Sequence, residues 1–494
     1  MKISKILLFI AGVLAGLALI CVLMPKEGIQ IGGVHLEFPT LTEVMTASSS
    51  EEDDSTANIS PEELMAQRVN AIQGERVEEF RSFCKDNPSR IYLPGGDETY
   101  LDPLFDAMDN AGKKQVRIVH YGDSQLECDR ISGDLRERFQ AEFGGSGVGM
   151  VPALQTIATY SLSQSTSPSL GHYLNYGSSS FRASHNRYGA MAQVNHVAGG
   201  ATLTFKARDS KKYPHAFPVT SVTVLASGSG SMSVKCDSAS YSLASATLEG
   251  GVNRYTVRIP EGADNLSLSI NGTFDVYGVQ LDDTIGVTID NVPMRGCSGT
   301  IFTTIDRSTV EAFYKNENVK LIILQYGGNS VPSVSGPKSI SGYMTRLRSQ
   351  IRMFREIAPN SCILFIGPAD MATRKGGVLQ TYPILPEVID SLREMSLSEG
   401  VAFWDMYASM GGKNSIIKWN QASPQLAGSD YIHFTPKGAA KISDIFYETL
   451  QFYYKFYRMR TGKEQDAIKQ ELDSAENARQ REMLEQVTSS VTKK

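Results

Sequence analysis

Residues 116–124 read VRIVHYGDS. A short, largely apolar run ends there in a Gly-Asp-Ser turn. The following stretch, LECDRISGDLRERFQAEF, places Ile131, Leu135 and Phe139 four residues apart, which marks one face of a helix. Strand, turn and helix in that order open an α/β sheet. Further along, the same signal recurs. VKLIILQYGGN ends at Asn329, CILFIGPAD ends at Asp370, and VAFWDM ends at Met406. Helical patterns such as SGYMTRLRSQIRMFREIA and LPEVIDSLREM separate these runs. Strands alternating with helices predict a mostly parallel sheet with both faces covered.

Residues 161–284 have a different texture. They are rich in Ser, Gly, Thr and Val, and short candidate strands such as ATLTFKA, SVTVLAS and NLSLSI are separated by Gly- and Asn-bearing turns. That spacing predicts a β-sandwich or jelly roll inserted into the α/β domain. The glycine-rich run Gly144 to Gly149 follows a helix pattern and lacks a phosphate-binding signature, so it reads as a flexible loop near the rim of a site.

The termini differ again. Ile6 to Met24 is an unbroken apolar, Gly and Ala run preceded by Lys2 and Lys5. At 1.5 Å per residue it nearly spans a hydrocarbon core, and the two lysines place the rest of the chain outside the cytoplasm. An uncleaved anchor is expected, with a cleaved signal peptide as the alternative. TASSSEEDDSTAN at 46–58 is too polar to fold and reads as a linker. Ser60-Pro61-Glu62-Glu63 then opens a charged helix with Ser as N-cap and Glu three residues on. The tail from Thr461 is almost wholly polar, a solvated helix or disordered.

With 494 residues the chain has room for two to four domains and a sizeable core. A net charge of -5 argues against nucleic acid as a partner. Six cysteines without a CxxC pair exclude a dense disulfide scaffold and the usual zinc-ribbon spacing. The histidines number seven, so few can do chemistry.

Four short motifs carry the candidate chemistry. Ser124 ends the first strand at the start of a helix, where backbone N–H groups and the helix dipole favour an oxyanion. Asp430 and His433, three residues apart before Pro436, can supply a base and the acid that orients it. Gln325-Tyr326-Gly327-Gly328-Asn329 places an amide donor at another strand end. Arg295-Gly296-Cys297-Ser298-Gly299-Thr300 offers a backbone donor at Gly299, with Gly296 a near competitor. Cys297 is a rival nucleophile without an evident base. No metal-ligand cluster appears, and a serine mechanism needs neither metal nor cofactor.

In these four blocks, and in their order, the sequence resembles the SGNH (GDSL-like) hydrolases. The resemblance implies Ser124 as nucleophile, His433 as base, Asp430 as its orienting acid, and Gly299, Asn329 and the Ser124 N–H as oxyanion hole. It implies a flavodoxin-like three-layer sheet. Gln125 stands where many members have Leu, and Ser330 where an Asp often follows the Asn. A β domain between the Ser and Gly blocks resembles the peptidoglycan O-acetylesterases of this superfamily, whose inserted module is similar to carbohydrate-binding modules. Tyr173, Tyr176, Phe181, Tyr188 and Tyr213 are the insert aromatics available for sugar stacking, against the commoner role of aromatics as core.

The expected layout is an anchor at 1–25, a linker and helical stalk at 26–90, hydrolase parts at 91–160 and 285–460 around the insert at 161–284, and a polar tail at 461–494. The expected activity is a membrane-anchored, extracytoplasmic serine esterase removing O-acetyl groups from peptidoglycan or another envelope glycan. Two alternatives stand beside it. One is an O-acetyltransferase working beside a membrane acyl-donor protein, and the other is a non-catalytic glycan-binding protein.

Overall fold

The computed structural model describes residues 29–31, 34–36, 60–236 and 239–491. The proposed membrane segment Ile6 to Met24 and the 46–58 linker lie outside them. Among the described residues, no helix is long and apolar enough to cross a membrane.

Residues 73–466 form one compact unit. Its centre is a six-stranded sheet. Across the sheet the order is Val287–Pro293, Val116–Gly122, Val319–Gln325, Cys362–Ile366, Ala402–Trp404 and Ile91–Tyr92. The first five are parallel, and Ile91–Tyr92 closes the edge antiparallel. Counting the parallel strands along the chain gives 2-1-3-4-5, the flavodoxin-like doubly wound order. The sequence explains the burial. Val116–Gly122 is buried at every position, as a strand covered on both faces must be.

Alternate residues feed two separate cores. Val119, Tyr121, Ile322, Leu324 and Phe365 pack with the helices Arg307–Tyr314, Pro337–Ile357 and Leu385–Ser398. Ile118, Leu321, Ile323 and Leu364 pack on the opposite face with Asp102–Asp109, Ser132–Phe143 and Pro436–Arg460. The aromatic run of the last helix belongs to this second core. Tyr453 Oη accepts from Ile91 N–H at 3.0 Å and donates to Ile91 C=O at 2.8 Å, which holds the edge strand.

The inserted β domain has its own core. Among the described residues its strands form one hydrogen-bonded antiparallel network of ten. Two long strands, Val219–Cys236 and Asn265–Asp282, run side by side through it. The sheet begins earlier than 161. Gly147–Val151 is a strand that pairs with Asn265–Asp282, with Val151 opposite Val279. The second half of the expected rim loop, Gly147 to Gly149, is therefore buried sheet, while Gly144 to Ser146 lie outside it. Its glycines are needed for close approach: a Cβ on Gly147 would lie 2.1 Å from Leu281 O, and one on Gly149 2.5 Å from Asp290 Oδ1.

The described residues up to Ile72 and from Ala467 onward belong to a second unit. Here Ser60 and Glu63 form the expected capping box, with Glu63 N–H donating to Ser60 Oγ and Ser60 N–H to Glu63 Oε2. The polar tail is helical over Gln465–Val491.

Candidate active site

Strands one and three part at the switch point of the sheet, where ligands of open α/β folds bind. Ser124 follows strand one and Asn329 follows strand three. Asp123 caps the short helical turn Ser124–Asp129 by accepting from Gln125 N–H at 2.9 Å. Its other oxygen accepts from Asn329 Nδ2 at 3.1 Å, which ties the two strand ends together. Burial pushes the Asp123 carboxyl up to about 6, against the Gln125 hydrogen bond and the nearby His433.

His433 arrives on the loop before the last helix. Pro436 starts that helix, and Thr435 caps it by accepting from Gly438 N–H. Tyr431 sits at a φ of 55°, which turns the loop back so that Asp430 and His433 meet. Asp430 Oδ2 lies 2.7 Å from His433 Nδ1. Asp430 Oδ1 accepts from the Ile432 and His433 N–H groups at 3.0 and 3.1 Å. Burial works against the Asp430 charge. The hydrogen bonds from the His433 ring and from those amides outweigh it and hold the carboxyl below its ordinary value.

Ser124 Oγ lies 2.8 Å from His433 Nε2. With Asp430 accepting from Nδ1–H, Nε2 is left as the acceptor for the serine hydroxyl. Ser124 and His433 are 309 residues apart in sequence, yet with Asp430 they form one relay. It opens on a cleft of about 300 Å³. Gly296, Asn329, Pro368, Met371 and Arg295 line the same cleft.

The expectation for Gly299 is corrected. Its N–H donates to Cys297 Sγ at 3.3 Å, and the residue is not part of the cleft wall. It is glycine because a Cβ would sit 2.6 Å from the Tyr326 ring. Gly296 is the glycine of this block that faces the cleft, with a φ of 73° and open space where a Cβ would be. Among the described residues, neither Gly296 N–H nor Ser124 N–H has an internal acceptor. Asn329 reaches the cleft, with its Nδ2 also 3.2 Å from Cys297 O. Cys297 itself is buried, and burial pushes its thiol up to about 11, so it is not the thiolate a rival nucleophile requires.

Arg295 was not singled out by sequence. It stands exposed on the rim with Nε 3.1 Å from Oε1 of the buried Glu127. His120 lies behind the site, bonded to Gln325 Oε1 and Ser132 Oγ at 3.0 Å each, and burial pushes it down to about 4. It stays neutral and takes no part in the relay. Of the insert aromatics, Tyr188 and Tyr213 are core, Tyr173 and Tyr176 are half-buried, and Phe181 is exposed.

The three-layer sheet, the switch-point cleft and the Ser–His–Asp relay define a serine hydrolase of the α/β class. Residues 260–441 match the GDSL-like lipase/acylhydrolase family. The matched span includes Gly296, Asn329, Asp430 and His433, while Ser124 precedes it across the insert. No curated protein matches the chain. Among solved structures, the chain is similar to a peptidoglycan O-acetylesterase with a TM-score of 0.60 and 18% identity, covering 75% of this chain and 99% of that one. At that identity the likeness bears on the fold. Two others are similar over part of the chain only. A family two carbohydrate esterase from Cellvibrio japonicus matches with a TM-score of 0.25 and 10% identity, over 60% of this chain and 99% of that one. An acetyl xylan esterase matches at 0.26 and 13%, over 33% and 81%.

Proposed function

We propose that the protein is a serine O-acetylesterase acting on a cell-envelope glycan such as peptidoglycan. The observation that carries this reading is the Ser124–His433–Asp430 relay facing a cleft bordered by free backbone donors. Ser124 Oγ attacks the ester carbonyl carbon while His433 Nε2 takes the hydroxyl proton. The carbonyl oxygen becomes an oxyanion, met by the N–H groups of Ser124 and Gly296, and by Asn329 Nδ2 once it gives up its bond to Asp123 or to Cys297 C=O. The intermediate collapses, the C–O bond to the sugar breaks, and His433 returns the proton to the sugar oxygen. A water molecule then repeats the cycle on acyl-Ser124 and releases acetate.

The size of the cleft suits a short acyl group on one sugar unit, at the small end of ligand sites. The fold likeness to a peptidoglycan O-acetylesterase supports a glycan ester as substrate. The apolar run Ile6 to Met24 supports an anchor that holds this domain outside the cytoplasm. Membrane fractionation of the full chain against a chain lacking residues 1–25 tests that part.

The enzymatic part is tested by acetate release from a panel of O-acetylated envelope glycans. Ser124→Ala is expected to lower kcat by at least about 10⁴-fold without unfolding the protein. Full activity in that variant would sink the mechanism. Adding an unacetylated glycan and following where the acetyl group goes separates hydrolysis from transfer.

A further inference from the structure

We infer that Gln125 is a positioning residue for the base, a role that rests on the serine-esterase reading of the same site. Gln125 comes directly after the nucleophile, and its side chain is buried. Its Nε2 donates to Ile432 C=O at 2.7 Å, and its Oε1 accepts from Phe434 N–H at 3.3 Å. One side-chain amide therefore holds the backbone on both sides of His433. Only one orientation of the amide satisfies both bonds, since the donor must meet the carbonyl and the acceptor the N–H.

A third bond comes from the same turn. Arg130 Nη1 donates to Phe434 C=O at 3.3 Å, while its Nε donates to Glu127 C=O at 2.8 Å. The base loop has other anchors, but they hold its base and its far side. Gly428 N–H donates to His433 C=O at 2.7 Å, and Ala372 N–H donates to Tyr431 C=O at 3.0 Å. Among the described residues, Gln125 alone joins the nucleophile's own turn to both neighbours of the base by side-chain hydrogen bonds.

The consequence is geometric. Ser124 and Gln125 are covalently adjacent, so the clamp fixes His433 against the residue beside its partner. The 2.8 Å contact between Ser124 Oγ and His433 Nε2 depends on that register. A leucine at this position fills the space but makes neither bond. The His433 backbone, still held by Gly428 and Arg130, would lose both of its ties to the residue beside Ser124, and misplacement by about 1 Å costs about 10²-fold in rate. Gln125 also borders the cleft, but both polar ends of its amide are engaged by the base loop, so its loss falls mainly on the chemical step.

The test compares wild type with Gln125→Leu. Three quantities are measured: kcat and KM on a small acetyl ester, the rate of Ser124 labelling by a serine-directed phosphonate, and Tm. The expected result is a fall of about 10- to 100-fold in kcat and in labelling rate, KM within about twofold, and a cooperatively folded protein. Gln125→Glu keeps the size and replaces the donor to Ile432 C=O by an acceptor. It is the variant to read should the leucine form not fold, and the same loss is expected. Wild-type kcat and labelling rate in a folded variant would overturn the inference, as would a loss that tracks the unfolded fraction. If wild type itself takes no phosphonate at Ser124, the esterase reading fails and the positioning role falls with it. If wild type is labelled and the variant is labelled equally fast, the positioning role alone is wrong.

Discussion

The strand Val116–Gly122 meets charge at both ends, and the two ends handle it differently. Near its start, Arg117 is fully buried against Asp282 at the end of the insert's long strand, Asp290 of the neighbouring strand at 2.5 Å, and Glu317 at 3.4 Å. Arg254 of the insert bonds the same Glu317. Burial works against the Arg117 charge, and the three carboxylates outweigh it. Past its other end, Ser124, His433 and Asp430 are arranged around a cleft, with the acid and base side chains 48% and 36% exposed. At the first end the charges are locked in one buried network, in which burial still raises the Asp282 and Asp290 carboxyls. At the second, protons can move because solvent and substrate reach the groups. The first end docks the insert on the sheet, and the second does the chemistry.

Asp430→Asn probes the open end hardest. The new amide presents a donor or a weaker acceptor to Nδ1, so Nε2 no longer reliably accepts the serine proton. A loss of about 10⁴-fold in kcat is expected, or ~5 kcal/mol of transition-state stabilisation. The variant should keep wild-type stability at neutral pH, because the pair is half-exposed. A loss below tenfold would mean that Asp430 does not orient the base.

Arg117→Met probes the closed end. It leaves three carboxylates around a methionine and removes one buried tie between insert and sheet, Arg117 to Asp282. Breaking a buried ion network by deleting one partner costs about 4 kcal/mol, read from urea unfolding at neutral pH. The kcat of the folded fraction should stay at the wild-type value, because Arg117 lies at the opposite end of the strand from Ser124. If kcat falls with stability intact, the two ends are coupled in a way this division denies.

The two ends were also unequally legible. Ser124 and the Asp430–His433 pair lie in short contiguous motifs, because a turn at a strand end and a loop entering a helix are built from neighbouring residues. The parallel sheet was legible for a similar reason, since each strand is a local apolar run. The choice between Gly296 and Gly299 was not. Both adopt positive φ in one loop, and only the packing of Tyr326 against Gly299 shows which amide is left for the cleft. Arg117 reads as one charge in an apolar run, since its partners lie 165 and 173 residues away. Gln125 reads only as a departure from a pattern, because its two bonds join it to residues 307 and 309 positions away. The strand Gly147–Val151 looks like a loop because the close contact it needs is made by glycine.

Asp123 stands between the two regimes and gives the smallest predicted effect. It is buried like the carboxylates around Arg117, yet it sits at the cleft with no cation in direct contact. Its ordinary value of 3.8 rises to about 6 in the folded protein through burial. Linkage then sets the sign. The folded state binds this proton more tightly than the unfolded chain does. The stabilisation is therefore fully present below about 3.8 and is lost as pH rises through about 6. The full swing is about 3 kcal/mol. Asp123→Asn has no such proton. Its altered hydrogen bonds to Gln125 N–H and Asn329 Nδ2 shift stability by an amount that does not vary with pH. The stability of the variant relative to wild type should therefore rise by most of that swing, about 2 kcal/mol, between pH 4 and pH 7, measured by urea unfolding at matched ionic strength. Titrating groups not coupled to Asp123 cancel in that difference. A difference that stays flat across the window would mean that Asp123 is ionised throughout.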